Sequence, residues 1–235
     1  MRLRYRTFLL FALTLTAVDA SETRGQSVQP IISEYSGRAD GVFEVTNSGI
    51  TPEIVLFEPK SFDVLPDGSG VFRTLDSGIH LDLSATSVRL EPQQTARIFY
   101  KVRSDRLPAW LCIYAAFTSL KRSEGMNVRI MLPHTVYVYQ KDKFPRDALH
   151  VSNARFEPAQ HRIVCDLENV SDFATRAEQI EVIAAHDSAE QGGFPVLPQH
   201  KRTLSIEWKS DHTPEQLLLH FPRFDIKVPI RNDRE

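Results

Sequence analysis

Eight histidines, two cysteines and 30 acidic residues are the groups in this 235-residue chain with the means to do acid–base, metal or nucleophilic chemistry. Spacing decides whether they do. The histidines fall at 80, 134, 150, 161, 186, 200, 212 and 220, with no His-Glu-x-x-His or comparable ligand spacing. His186-Asp187 and Asp211-His212 are adjacent pairs on predicted loops, without the third partner that a metal or a general base requires, so the histidines read as surface residues. There is no Gly-x-Ser-x-Gly elbow, phosphate-cradling glycine loop or dinucleotide fingerprint. Cys112 and Cys165 sit in apolar, strand-like runs in opposite halves of the chain. A bridge would need their Cα atoms within about 7 Å, so two buried free thiols are expected. Asn169-Val-Ser171 matches a glycosylation acceptor but ends a predicted strand. The expectation is a protein that is not an enzyme and carries no metal or cofactor.

The elements around these residues are almost all strands. Hydrophobic residues make up 42% and charged residues 25% of a chain with net charge −2, which suits a globular protein and argues against a nucleic-acid partner. Arg2, Arg4 and Arg6 precede an apolar run from Phe8 to Val18 and the small residues of Val18-Asp-Ala20, the order of an export signal cut near Ala20. No later stretch is apolar enough to span a membrane, and a mature chain outside the cytoplasm is expected. Period-2 alternation then runs to the end. Val42–Asn47, Glu53–Glu58, Ile79–Leu83, Ser87–Leu90, Thr95–Val102, Trp110–Thr118 and Val128–Tyr139 read as strands of one domain, residues 27–141. Gln140 to Arg146 is a charged, proline-containing linker. Leu149–Phe156, His161–Leu167, Ala177–Ala185, Thr203–Trp208, Gln216–Phe221 and Phe224–Ile230 form a second domain, residues 147–232, with Gln191 to Pro198 as a loop and Trp208 half exposed. The strand count and spacing predict an all-β fold of two immunoglobulin-like sandwiches.

Phe43-Glu-Val-Thr-Asn47, Arg89-Leu-Glu-Pro92, Leu107-Pro108, and Asn127-Val128 leading to Tyr137-Val-Tyr139 carry a resemblance to the first domain of periplasmic pilus-assembly chaperones. It covers Ser27 to Lys141; the second domain follows through its strand pattern and Phe194-Pro-Val-Leu-Pro198. The resemblance implies a non-enzymatic periplasmic chaperone that binds exported, pilin-like or other β-rich subunits by strand addition, with an outer-membrane usher as a second partner. The strand that does this in the family is the last of the first domain, which here brings Val128, Ile130 and Leu132 to one face and Arg129 and Met131 to the other. Pro133 suits an edge strand.

The family also anchors a subunit carboxylate with an Arg on the first strand and a Lys late in that last strand. This chain has Ile32 and Thr135-Val-Tyr137 at those places; Arg38, Arg129, Lys141 and Lys143 are the alternative cations. The competing reading is a structural or adhesive immunoglobulin-like module of the cell envelope. Dimerisation through the edge strand is open under either.

Overall fold

The computed structural model describes residues 25–120 and 129–232; the expected export signal, Asn127 and Val128 lie outside the described residues. The first domain is a sandwich of two sheets. One holds β1 (Ser27–Gln29), β3 (Ala39–Thr46), β8 (Thr95–Ser104) and β6 (Ile79–Leu83), in that order. The other runs β2 (Ile32–Ser36), β10 (Arg129–Tyr139), β9 (Ala109–Ser119), β4 (Glu53–Val64) and β5 (Gly70–Thr74), with β7 (Ser87–Leu90) also on β4.

Alternation dictates which side chains enter the core. On β8, Ile98, Tyr100 and Val102 are buried, while Arg97 and Lys101 stand outside opposite Glu44 and Asp40 of β3. Strand β9 reads as nearly continuous apolar sequence because both its faces are covered. Leu111, Ile113, Ala115 and Phe117 join the sandwich core, and Cys112 packs outside with Phe62 and Tyr137.

The second domain pairs β15 (His200–Glu207), β12 (Arg162–Asn169), β11 (Leu149–Glu157) and β18 (Arg231–Asn232) against β14 (Ser188–Val196), β13 (Thr175–Ile183), β16 (Gln216–Phe221) and β17 (Phe224–Pro229). Its core is separate, built on Ile163, Leu167, Ile180, Leu217 and Trp208. Trp208 is 1% exposed, against the expectation of a half-exposed ring. Its indole N–H donates to the His212 carbonyl at 2.7 Å, which satisfies the one polar atom the ring brings inside.

The expected loop at 191–198 is also corrected: Ser188–Val196 is an edge strand paired to β13. Glycine and proline there mark an edge rather than a break. A Cβ on Gly193 would lie 1.8 Å from the Ala177 carbonyl oxygen, whereas one on Gly192 would meet nothing within 4 Å. Gly193→Ala is therefore expected to destabilise the second domain by about 2 kcal/mol, and Gly192→Ala by much less, in denaturant titrations.

A repeat invisible in the strand pattern joins the two domains. Asn47 and Asn169 are both fully buried at a strand end. The Asn47 amide donates to the carbonyls of Thr51 (2.8 Å) and Leu90 (3.3 Å), and its Oδ1 accepts from the Gly49 N–H. Asn169 donates to Phe173 (2.7 Å) and Leu197 (2.8 Å) and accepts from the Ser171 N–H. In each domain a glutamine in the left-handed region, Gln93 (φ 64) or Gln199 (φ 51), then donates its amide to that loop. The same corner is built twice. An Asn169 amide used this way is not an accessible glycosylation acceptor.

Candidate functional site

The chain enters the first domain by changing sheets. β1 pairs antiparallel with β3, and two residues later β2 pairs parallel with the C-terminal half of β10, Thr135 to Tyr139. β9 pairs with β10 from Arg129 to Val138. From Arg129 to His134, then, β10 is paired on one flank only among the described residues.

Backbone direction along this segment follows from one bond. The Thr135 N–H donates to the Ile31 carbonyl at 2.7 Å, so Thr135 faces away from β9. In an antiparallel pair the backbone groups of alternate residues point to opposite flanks. Pro133, Met131 and Arg129 therefore also face the open flank. Proline sits where its missing N–H leaves no gap in the β9 ladder.

Side chains divide by the same parity. Ile130 and Leu132 are half-buried and pack against the rim of the sandwich core; they are not projected into solvent. Met131 (40% exposed) stands on the outer face, with Ile31 (61%) and Ile32 (42%) at the crossover. Arg129 is engaged by Glu58 of β4.

His134 shares the inward parity of Ile130 and Leu132 and is fully buried, which corrects its reading as a surface residue. Its ring stacks on Phe43 at 4.6 Å between centroids, and Nδ1 is 2.7 Å from the Pro30 carbonyl. Strand parity was the signal that would have found it.

Beyond Thr135 the outer face of β10 leads into a cleft of about 430 Å³ between the domains. Glu34 of β2 accepts from the Tyr139 hydroxyl (2.8 Å) and from Arg176 of the second domain (3.1 Å). Burial, and then the bond to Glu34, push the Tyr139 phenol well above the usual tyrosine range. Gln140 clasps the second domain, donating to the Ala174 carbonyl (2.8 Å) and accepting its N–H (3.1 Å). On the other side of Tyr137, the β4–β5 hairpin reaches across, and Thr203 donates to the Pro66 carbonyl at 2.8 Å. Arg202 stacks over the Phe194 ring at 4.1 Å, and burial depresses its pKa.

The cations held in this junction, Arg176 and Arg202, come from the second domain and were not among the alternatives read from the sequence. Of those, Lys143 lines the cleft, Lys141 packs against Gly37, and Arg38 lies at the surface beside Lys101.

The polar cluster outside this region has no catalytic arrangement. Asp187 Oδ2 lies 2.5 Å from both Ser210 Oγ and His212 Nδ1, and Ser210 Oγ is 3.4 Å from that same Nδ1, so serine and carboxylate meet one ring nitrogen instead of opposite ones and no relay is formed. Cys112 and Cys165 are buried and free, and desolvation pushes their thiols up to about 11 and about 12, where they are unreactive.

No family model matches the chain, and no curated protein does. Among solved structures it is similar to the SafB chaperone of Salmonella enterica, solved in complex with the SafA pilin. That likeness has TM-score 0.54 and 12% identity, over 89% of this chain and 98% of that one. The YadV chaperone gives 0.52 and 8%, over 88% and 100%. The E. coli chaperone DraB gives 0.50 and 12%, over 86% and 96%. At these identities what is shared is the fold. The chain has the two-domain immunoglobulin-like fold of these chaperones along nearly its whole described length.

Proposed function

We propose that this protein is a non-enzymatic periplasmic chaperone that captures an exported, pilin-like subunit by adding a β-strand to the open flank of β10. The observation that carries the reading is the one-sided pairing of Arg129–His134 among the described residues, with Met131 and Arg129 turning backbone donors and acceptors outward. A strand laid there satisfies both chains' groups, and the alternating side chains Ile130 and Leu132, already at the rim of an apolar core, set its register. Val128, two positions before Ile130 in the sequence, lies outside the described residues. Transfer to an outer-membrane usher belongs to this reading as the step that follows capture.

A structural or adhesive module would close this flank or leave it polar. Here apolar Ile31, Ile32 and Met131 surround it. Among the described residues, no helix is long and apolar enough to cross a membrane.

Backbone pairing is tested by a proline. In Met131→Pro the lost N–H has no partner among the described residues, so the fold is retained, while capture of a co-expressed subunit weakens about tenfold or more. Unchanged capture would remove strand addition from the account.

A further inference from the structure

His134 occupies the last position of β10 before β2 joins it, and it and its neighbour grip consecutive carbonyls of the sheet-changing crossover. The His134 ring holds Pro30 O at 2.7 Å, and the Thr135 N–H holds Ile31 O at 2.7 Å. A carbonyl only accepts, so Nδ1 carries the proton, and Nε2 is left as a bare lone pair. That Nε2 is buried with no hydrogen-bond partner.

The chamber around the ring offers nothing to a second N–H. Phe43 of β3 stacks on one face, and the Tyr100 ring of β8 lies at 5.2 Å. The Tyr100 hydroxyl is committed to Tyr35 of β2 at 2.9 Å. On the β9 side the Cys112 thiol hydrogen-bonds the His134 backbone rather than its ring. Among the described residues no carboxylate, lysine or arginine acts on the imidazole, and burial holds it below the ordinary histidine range.

We propose that His134 is a proton-sensitive latch: protonation expels its ring from the chamber, releases the Pro30–Ile31 crossover from β10, and lengthens the edge open to a partner strand. The charged ring would carry an unsatisfied Nε2–H among aromatic side chains, so the neutral, latched form dominates at neutral pH.

The sign follows from proton binding. The unfolded or unlatched histidine takes up a proton as pH falls through about 6.5, while the latched one resists, so latch stability is full above that pH and is lost progressively below it. Local opening at the crossover precedes loss of the sandwich, because β2 is short and bonded on one side to β10 alone. Only the consequence for a partner rests on the capture reading; release of the crossover is measured without one.

The test is amide hydrogen exchange of the unbound protein between about pH 7.5 and about pH 5, corrected for intrinsic rates. Protection of the Thr135 amide is expected to fall about tenfold, while the Asn47 amide, bonded to the Gln94 carbonyl, keeps its protection. In His134→Phe the Thr135 profile becomes flat with pH, although every other histidine is retained. A flat native profile, a joint loss at Thr135 and Asn47, or the same fall in His134→Phe overturns the latch. Should His134→Phe not fold, the contrast between the two amides in the native protein decides.

Discussion

Glutamate at both Ile130 and Leu132 is expected to abolish subunit capture while leaving a folded protein. Both side chains sit half-buried at the rim of the first core, so each substitution removes apolar contact but can turn its carboxylate towards the open flank. The stability loss should be about 1–2 kcal/mol per site. A partner strand docked on that flank would instead trap two carboxylates against its own apolar face without a compensating charge, a penalty of several kcal/mol that no retained backbone bond offsets.

Co-expression with a subunit and pull-down reads capture, and near-ultraviolet circular dichroism with denaturant titration reads the fold. Lost capture with a cooperative fold supports the edge reading. Global unfolding would assign Ile130 and Leu132 to the core alone. Met131→Pro, which leaves core contacts in place, then decides whether the flank is used. Intact capture by the double variant sinks the proposal outright.

Asn47→Ala and Asn169→Ala are expected to be the most destabilising single substitutions in their respective domains among those considered. Each removes two or more donor bonds to buried or half-buried carbonyls and at least one acceptor bond, at a position with no solvent access. With roughly 1 kcal/mol per bond, and more for a buried carbonyl left unsatisfied, each should cost about 3 kcal/mol. Denaturant titration followed by domain-specific probes measures it. Trp110 lies in the first domain and Trp208 in the second core, so a fluorophore retained singly in each reports one domain at a time. A loss below about 1 kcal/mol at either site would show that the corner is held mainly by its backbone.

Much of this architecture was legible in the chain because strand parity is a local property. The alternation of Ile98, Tyr100 and Val102 with Arg97 and Lys101 is written in residues 97–102, and tertiary packing only chose which face was inside. The apolar run at β9 likewise announced a strand covered on both sides. The order of turns and strands was sufficient to predict the two sandwiches, whereas it was the resemblance to pilus chaperones that singled out β10.

Three things required the folded chain. That β2 begins only at Ile32, leaving Arg129–His134 paired on one side among the described residues, depends on where the first strand changes sheets, a contact between residues about a hundred positions apart. The Glu34–Tyr139–Arg176 junction joins two domains whose relative placement no local pattern encodes. Gly193 and Pro195 read as loop residues until their neighbour was known, because a glycine demanded by close backbone approach looks, in one dimension, like one demanded by a turn. Periodicity specifies which face of a strand turns inward. Long-range pairing alone decides which flank of it is left without a neighbour.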